Sequence, residues 1–365
     1  MTEAATAIPL TIDDAVERSA RRSRASITAV GMAAIIAFPG ITALLNRPSY
    51  TTAAVYGLIL GLAAISLVVL LGYVGQVSLA QFAFMGVGAL AVARLQPYTG
   101  YWAALPLAGL AAVPVGLVAA LPALRLRGIY LAVATLGLSQ VVVATILFNP
   151  TLAGGTLLHV NPPTLGSWTF PGTLAGRARL YYVDLAILIV FVAFTLALRD
   201  RKTGLAFAAV RDSELAAASV GISVVRYKLL AFALSSFYAG VAGGLYMGLS
   251  PVVDPRFFDA LTGSIPLLIV LVIGGVASIG GALLASFLYA MFPLLLPQLI
   301  NGVLGTLHIG ASFNPDLTIA LFGLLLLRGL MSSPSGLIGE LDRRLMAQAA
   351  RRVATADSAP ATVPG

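Results

Sequence analysis

Residues 202–248 read KTGLAFAAVRDSELAAASVGISVVRYKLLAFALSSFYAGVAGGLYMG, a charged segment set directly ahead of a long apolar run. Ser213 is a helix-capping residue type standing before Glu214, and Gly221 is the type expected just past a helix end. That spacing predicts a helix of about seven residues, whose first residue, Glu214, is favourable against the helix dipole. So short a helix falls far below the roughly 12–15 residues needed for marginal stability alone. Tertiary packing must hold it, and Leu215, Ala216, Val220 and Ile222 are the apolar contacts on offer. It either lies flat on its own bundle or inserts into a cleft on a soluble partner.

The apolar run that follows it, from Lys228 to Leu249, is one of many. Hydrophobic residues make up 59% of the 365-residue chain and charged residues 10%, whereas soluble domains carry about a quarter charged. A helix needs about 20 apolar residues to cross the hydrocarbon core. The fold class expected is therefore an all-α, polytopic transmembrane bundle of about ten segments: 27–45, 51–71, 76–95, 101–121, 129–148, 181–198, 228–249, 262–278, 280–299 and 316–331. Gly274, Gly275, Gly280 and Gly281 mark a break, a re-entrant turn or a close helix contact in the 262–299 region.

Lys and Arg flanking the spans are retained on the cytoplasmic side. Placing both termini inside leaves Arg47, Arg94, Arg177, Arg179 and Arg256 outside, and puts every other Lys and Arg in the chain inside or at that face. The net charge of +8 is accounted for by this topology and by the anionic inner leaflet, without nucleic acid. Residues 1–26 are expected to form a cytoplasmic tail rather than a cleaved signal, because the first apolar run is longer than a signal core. Residues 27–331 are expected to form the transmembrane domain and 332–365 a second cytoplasmic tail, partly disordered. An inner loop, 199–226, carries the short helix, and an outer loop, 149–180, is irregular because of Pro150, Pro162, Pro163 and Pro171.

Several chemistries are excluded or disfavoured. The chain has no cysteine and two histidines, His159 and His308, so thiol catalysis and a thiolate or imidazole metal cluster are not expected. No G-x-x-x-x-G-K-[ST] phosphate loop is present, so ATP is not bound in that manner. No acid falls at the centre of an expected span; Asp184 and Asp316 stand at span ends. That counts against an ion-coupled carrier, although unwound carbonyls can hold sodium. The polar groups that do enter the bilayer are neutral. Gln76, Ser78, Gln81 and Gln140 are the candidates for a translocation pathway, with Thr135, Ser139, Ser235 and Ser236 beside them. Interhelical hydrogen bonding is the competing use for all of them.

At five places the chain resembles the permease subunits of branched-chain amino acid ABC importers, in particular the LivM-like branch. They are Gly72–Leu90 (GYVGQVSLAQFAFMGVGAL), Leu121–Val142 (LPALRLRGIYLAVATLGLSQVV), the 202–248 stretch, Leu271–Gly281 (LVIGGVASIGG) and the region after Leu327, where Arg328-Gly329-Leu330 is similar to the family's terminal signature. The resemblance implies a multi-pass protein of a prokaryotic plasma membrane. It also implies that Glu214 to Gly221 is the segment that couples to an ATPase, with Glu214, Ala216, Ala217 and Gly221 at its key positions and Arg211 and Asp212 just before them. The implied partners are two ABC ATPase subunits, a homologous second permease, an extracytoplasmic substrate-binding protein and a small solute; no cofactor and no metal are implied. Ala80 departs from the family, which usually has Gly there. Related permeases also serve urea, amides and small organic acids, and a secondary carrier, a channel and a membrane enzyme stand as other classes.

Overall fold

The computed structural model describes residue 38 and residues 48–149, 151, 158–165, 168–170 and 174–306. The expected span 316–331, nearly all of 27–45 and both tails lie outside the described residues. Helices dominate. α1 (Pro48–Leu67) continues as a π-helical turn to Tyr73; α2 is Gln81–Thr99 and α3 Tyr101–Ala123. α4 (Ile129–Val142) also runs on as a π turn, to Leu147, and α5 is Leu174–Arg199. α6 (Lys202–Asp212) and α7 (Glu214–Ser219) precede α8 (Val224–Leu249). A 3-10 turn, Pro255–Phe258, and a π turn, Ala260–Ser264, lead into α9 (Ile265–Gly274), and α10 is Ile279–Thr306.

Six helices among the described residues are long and apolar enough to cross a membrane: Ser49–Tyr73, Tyr101–Ala123, Ile129–Leu147, Ala175–Arg199, Val224–Leu249 and Ile279–Gln298. They match six of the eight expected spans that fall within the described residues; the two that differ are 76–95 and 262–278. The expected span 76–95 is not one continuous helix, because the chain leaves α1 at Gly75, where φ is +74°, and becomes helical again at Gln81. The expected span 262–278 is a shorter apolar helix, Ala260–Gly274, ended by Gly275 at φ +107°. Gly274 and Gly281 then meet backbone to backbone: a Cβ on Gly281 would lie 1.8 Å from the Gly274 carbonyl oxygen. The glycine-rich region is thus a break and a close contact together. The expected outer loop 149–180 is shorter than read, since α5 starts at Leu174. It also carries three of the four short strands among the described residues: β1 (Leu158–His159), which pairs antiparallel with β4 (Val252–Val253) after α8, and β2 (Thr164–Leu165), which pairs with β3 (Trp168–Thr169).

α1 and α8 form the centre. Residues of α1 from Leu58 to Leu70 are buried almost without exception, and α8 packs most extensively against α3 and α2. The α2–α8 seam rests on glycine: a Cβ at Gly88 would lie 2.0 Å from the Gly240 carbonyl oxygen, and one at Gly243 would lie 1.8 Å from that of Met85. With little hydrophobic drive between helices in lipid, such close backbone approach supplies the packing energy. α4 and α5 sit at the rim and expose large apolar side chains, including Ile129, Tyr130, Val133, Val190 and Phe194.

Candidate functional site

At one end of the bundle the chain builds the short helix that the sequence pointed to. The Ser213 Oγ accepts the Ala216 N–H at 3.2 Å, an N-cap formed with Ser213 in extended backbone. At the other end Ile222 N–H donates to the Ala217 carbonyl and Gly221 N–H to that of Ala218, both at 3.0 Å, with Gly221 at φ +83°. This pair of bonds is the Schellman arrangement, and it needs a residue at ease in left-handed backbone at Gly221. α7 therefore spans six residues, Glu214–Ser219, capped at both ends by its own flanks.

What α7 buries is small. Ala217 faces inward, Glu214 is half-buried, and Ala216 is exposed. Leu215 is 82% exposed and Val220 73%. The helix is held instead by charge. Glu214 Oε2 meets the Arg127 guanidinium at 2.8 Å, and Oε1 meets Lys228 Nζ at 2.8 Å. Lys228 is only 1% exposed and also donates to the Ala123 carbonyl at 2.8 Å, where α3 ends. One carboxylate thus ties the short helix to α8 and to the loop after α3. Arg211 and Asp212 point elsewhere: the Arg211 guanidinium bonds Asp212 at 3.1 Å and the Gly72 carbonyl at 2.9 Å, so α6 is fastened to the end of α1. Arg127 and Lys228 were read from sequence only as flanking charges; their role depends on packing across 87 residues for Arg127 and Glu214.

The four pathway candidates separate into two places. Gln76, Ser78 and Gln81 are buried in the interior of the bundle. Gln81 Oε1 accepts from Ser66 Oγ at 3.0 Å and its Nε2 donates to Ser235 Oγ at 3.2 Å, joining α1, α2 and α8. Ser78 Oγ accepts the Ala80 N–H, Leu79 N–H donates to Thr135 Oγ1, and Phe82 N–H, in the first turn of α2, donates to Ser264 Oγ at 3.0 Å. The two interrupted segments, before α2 and before α9, therefore meet inside the protein. Gln76 is 5% exposed, and its Oε1 has no partner among the described residues.

Gln140 is exposed and faces the opposite way. Its Nε2 donates to Asp259 Oδ1 beside a cleft of about 500 Å³ between α4 and residues 255–262. The 3-10 and π turns fold residues 255–264 back against α4. One departure concerns Asp184. It was read as a span-end acid, yet it is 1% exposed within α5, and neither carboxylate oxygen has a partner among the described residues. No group of three or more His, Cys, Asp or Glu capable of holding a metal occurs among the described residues.

The structure thus combines a helical bundle with a capped short helix at one end, and comparison with known proteins decides the family. Residues 49–328 match the family described as branched-chain amino acid transport system / permease component. The chain belongs to that family. It is 35% identical over 109 residues to the high-affinity branched-chain amino acid transport system permease protein LivM of Salmonella typhimurium, and equally to that of Escherichia coli; the matched part is 30% of this chain and 25% of each relative. It is 27% identical over 127 residues to the probable branched-chain amino acid transport permease protein LivH of Methanocaldococcus jannaschii, covering 35% of this chain and 39% of that one. The chain thus aligns with between a quarter and two fifths of the length of these curated relatives. No solved structure matches. The protein is a multi-pass membrane permease of the branched-chain amino acid transport family.

Proposed function

We propose that this chain is one permease subunit of an ATP-driven importer for branched-chain amino acids, with α7 as the element that an ATPase subunit grips. The observation that carries the reading is the helix itself. Glu214 anchors it by two ion pairs while Leu215 and Val220 stand out in solvent, the division expected of a stub whose apolar side belongs to a partner. In this reading two ATPases dock at the α7 end, which is cytoplasmic together with both termini. A homologous permease completes the translocation pathway, and an extracytoplasmic binding protein delivers the solute at the β1–β4 end. ATP is hydrolysed on the partners and not on this chain.

The test is uptake by the complete importer. Glu214→Arg, or deletion of Leu215 to Val220, is expected to abolish ATP-dependent leucine uptake while membrane insertion, measured by quantitative immunoblot, stays at the native level. Uptake unchanged at matched expression would sink the coupling role. Urea, amides and small organic acids are the competing cargoes, separated by titrating the cognate binding protein.

Asp184 favours a second reading, an ion-coupled carrier, because intramembrane acids mark ion pathways and its buried carboxylate has no partner among the described residues. Transport in proteoliposomes driven by an ion gradient, with no ATPase subunit present, would establish it.

A further inference from the structure

The cleft beside Gln140 joins two opposite charges to an apolar wall. Arg256 lies within the 3-10 turn and Asp259 just past its end in extended backbone, and both side chains line the cleft. They do not pair with each other. The Arg256 guanidinium makes no hydrogen bond or ion pair among the described residues, and Asp259 is engaged at Oδ1 alone, by Gln140. A carboxylate accepts at both oxygens, so Asp259 keeps open positions. Around these groups the cleft is lined by Leu136, Val143, Phe148 and Leu261. Its volume, about 500 Å³, falls in the range of small-molecule sites, which combine apolar walls with a few placed polar groups.

Arg256 is exposed and Asp259 half-buried, so both charged groups are within reach of a molecule entering the cleft. A solute carrying an ammonium and a carboxylate on one carbon, with a hydrocarbon side chain, matches both. The geometry points to this cleft as a binding site for a zwitterionic, apolar α-amino acid. Asp259 receives the ammonium, Arg256 the carboxylate, and the Leu136–Val143–Phe148 wall the side chain. Gln140 is a positioning residue that holds the Asp259 carboxylate from α4. Two π turns, Val143–Leu147 and Ala260–Ser264, flank the cleft; such turns are frequent at functional sites. The inference rests on the amino-acid reading proposed above and places its substrate at named atoms.

The experiment is calorimetric titration of the full chain, assembled with its companion permease and ATPases but without binding protein, in phosphatidylglycerol nanodiscs that offer no competing ammonium. L-leucine, isocaproic acid and isoamylamine are the probes: the acid lacks the ammonium, and the amine lacks the carboxylate. Native protein is expected to bind L-leucine at least about tenfold more tightly than either one-charge analogue, the size of one lost charge-assisted bond. Asp259→Asn is expected to erase the preference for leucine over isocaproic acid, and Arg256→Gln the preference over isoamylamine. Equal binding of all three ligands by native protein would overturn the proposal whatever the variants do. So would variants that keep the native preferences. An assembly that discriminates as expected but shows no ATP-dependent leucine uptake defeats the importer reading and leaves the cleft in place. ATP-dependent uptake without discrimination does the reverse.

Discussion

Lys228 shows how much one side chain carries at the α7 end of the bundle. Its ammonium is shut away from water and satisfied by Glu214 and by the Ala123 carbonyl. Removing one partner of such a pair leaves the other charge uncompensated, at a cost of about 3–5 kcal/mol when fully buried. Glu214 is partly open to solvent and keeps Arg127, so the lower part of that range applies. Lys228→Met is expected to destabilise the α7 end by about 3 kcal/mol and to lower the thermal unfolding temperature of the purified permease. Arg127→Ala, at an exposed pair, should cost under about 1 kcal/mol. Equal effects from the two variants would show that burial does not govern this site. Neither role was readable from the sequence, where both residues are simply basic positions flanking spans. The caps of α7 were readable, because Ser213 and Gly221 act on backbone within a few residues of themselves.

At the scale of the element, the α2–α8 seam makes a strict demand on side-chain size. A methyl group at Gly243 would sit inside the Met85 carbonyl, and rigid backbone cannot move aside as a side-chain tip does. Gly243→Ala is therefore expected to cost about 1–3 kcal/mol as overpacking, visible as a lower melting temperature in detergent. At Gly137 on α4, where an added Cβ would meet nothing within 4 Å, the same change should be neutral or slightly stabilising, since alanine is the better helix former. A comparable loss at both positions would remove the seam argument. The segment before α2 shows where element reading failed. Residues 76–95 have the composition of a span, but hydropathy does not register that Gly75 turns the chain or that Leu79 and Phe82 find acceptors on Thr135 and Ser264. The Gln140–Asp259 bond was not readable either, because it depends on packing between α4 and a turn more than a hundred residues later.

For the whole molecule, the absence of native cysteine makes surface mapping direct. Leu215→Cys or Val220→Cys should react readily with a membrane-impermeant maleimide in the isolated permease and become protected when the ATPase subunits are bound. Unchanged labelling in the full assembly would remove α7 from the docking surface. The broad architecture, a helical membrane bundle with a capped stub between long helices, was legible because lipid and helix termini constrain composition locally. Among the described residues the course of 76–95 and 262–278 was not, because these two segments are interrupted partway and their polar backbone is satisfied by neighbours rather than by regular helix.

The glycine contacts that lock α2 to α8 also bear on how such a machine moves. Backbones in direct contact cannot slide without first separating, so in the importer proposed above this pair would act as a fulcrum and not a hinge. The swing would then be taken up around it, by the rim of α4 and by α7.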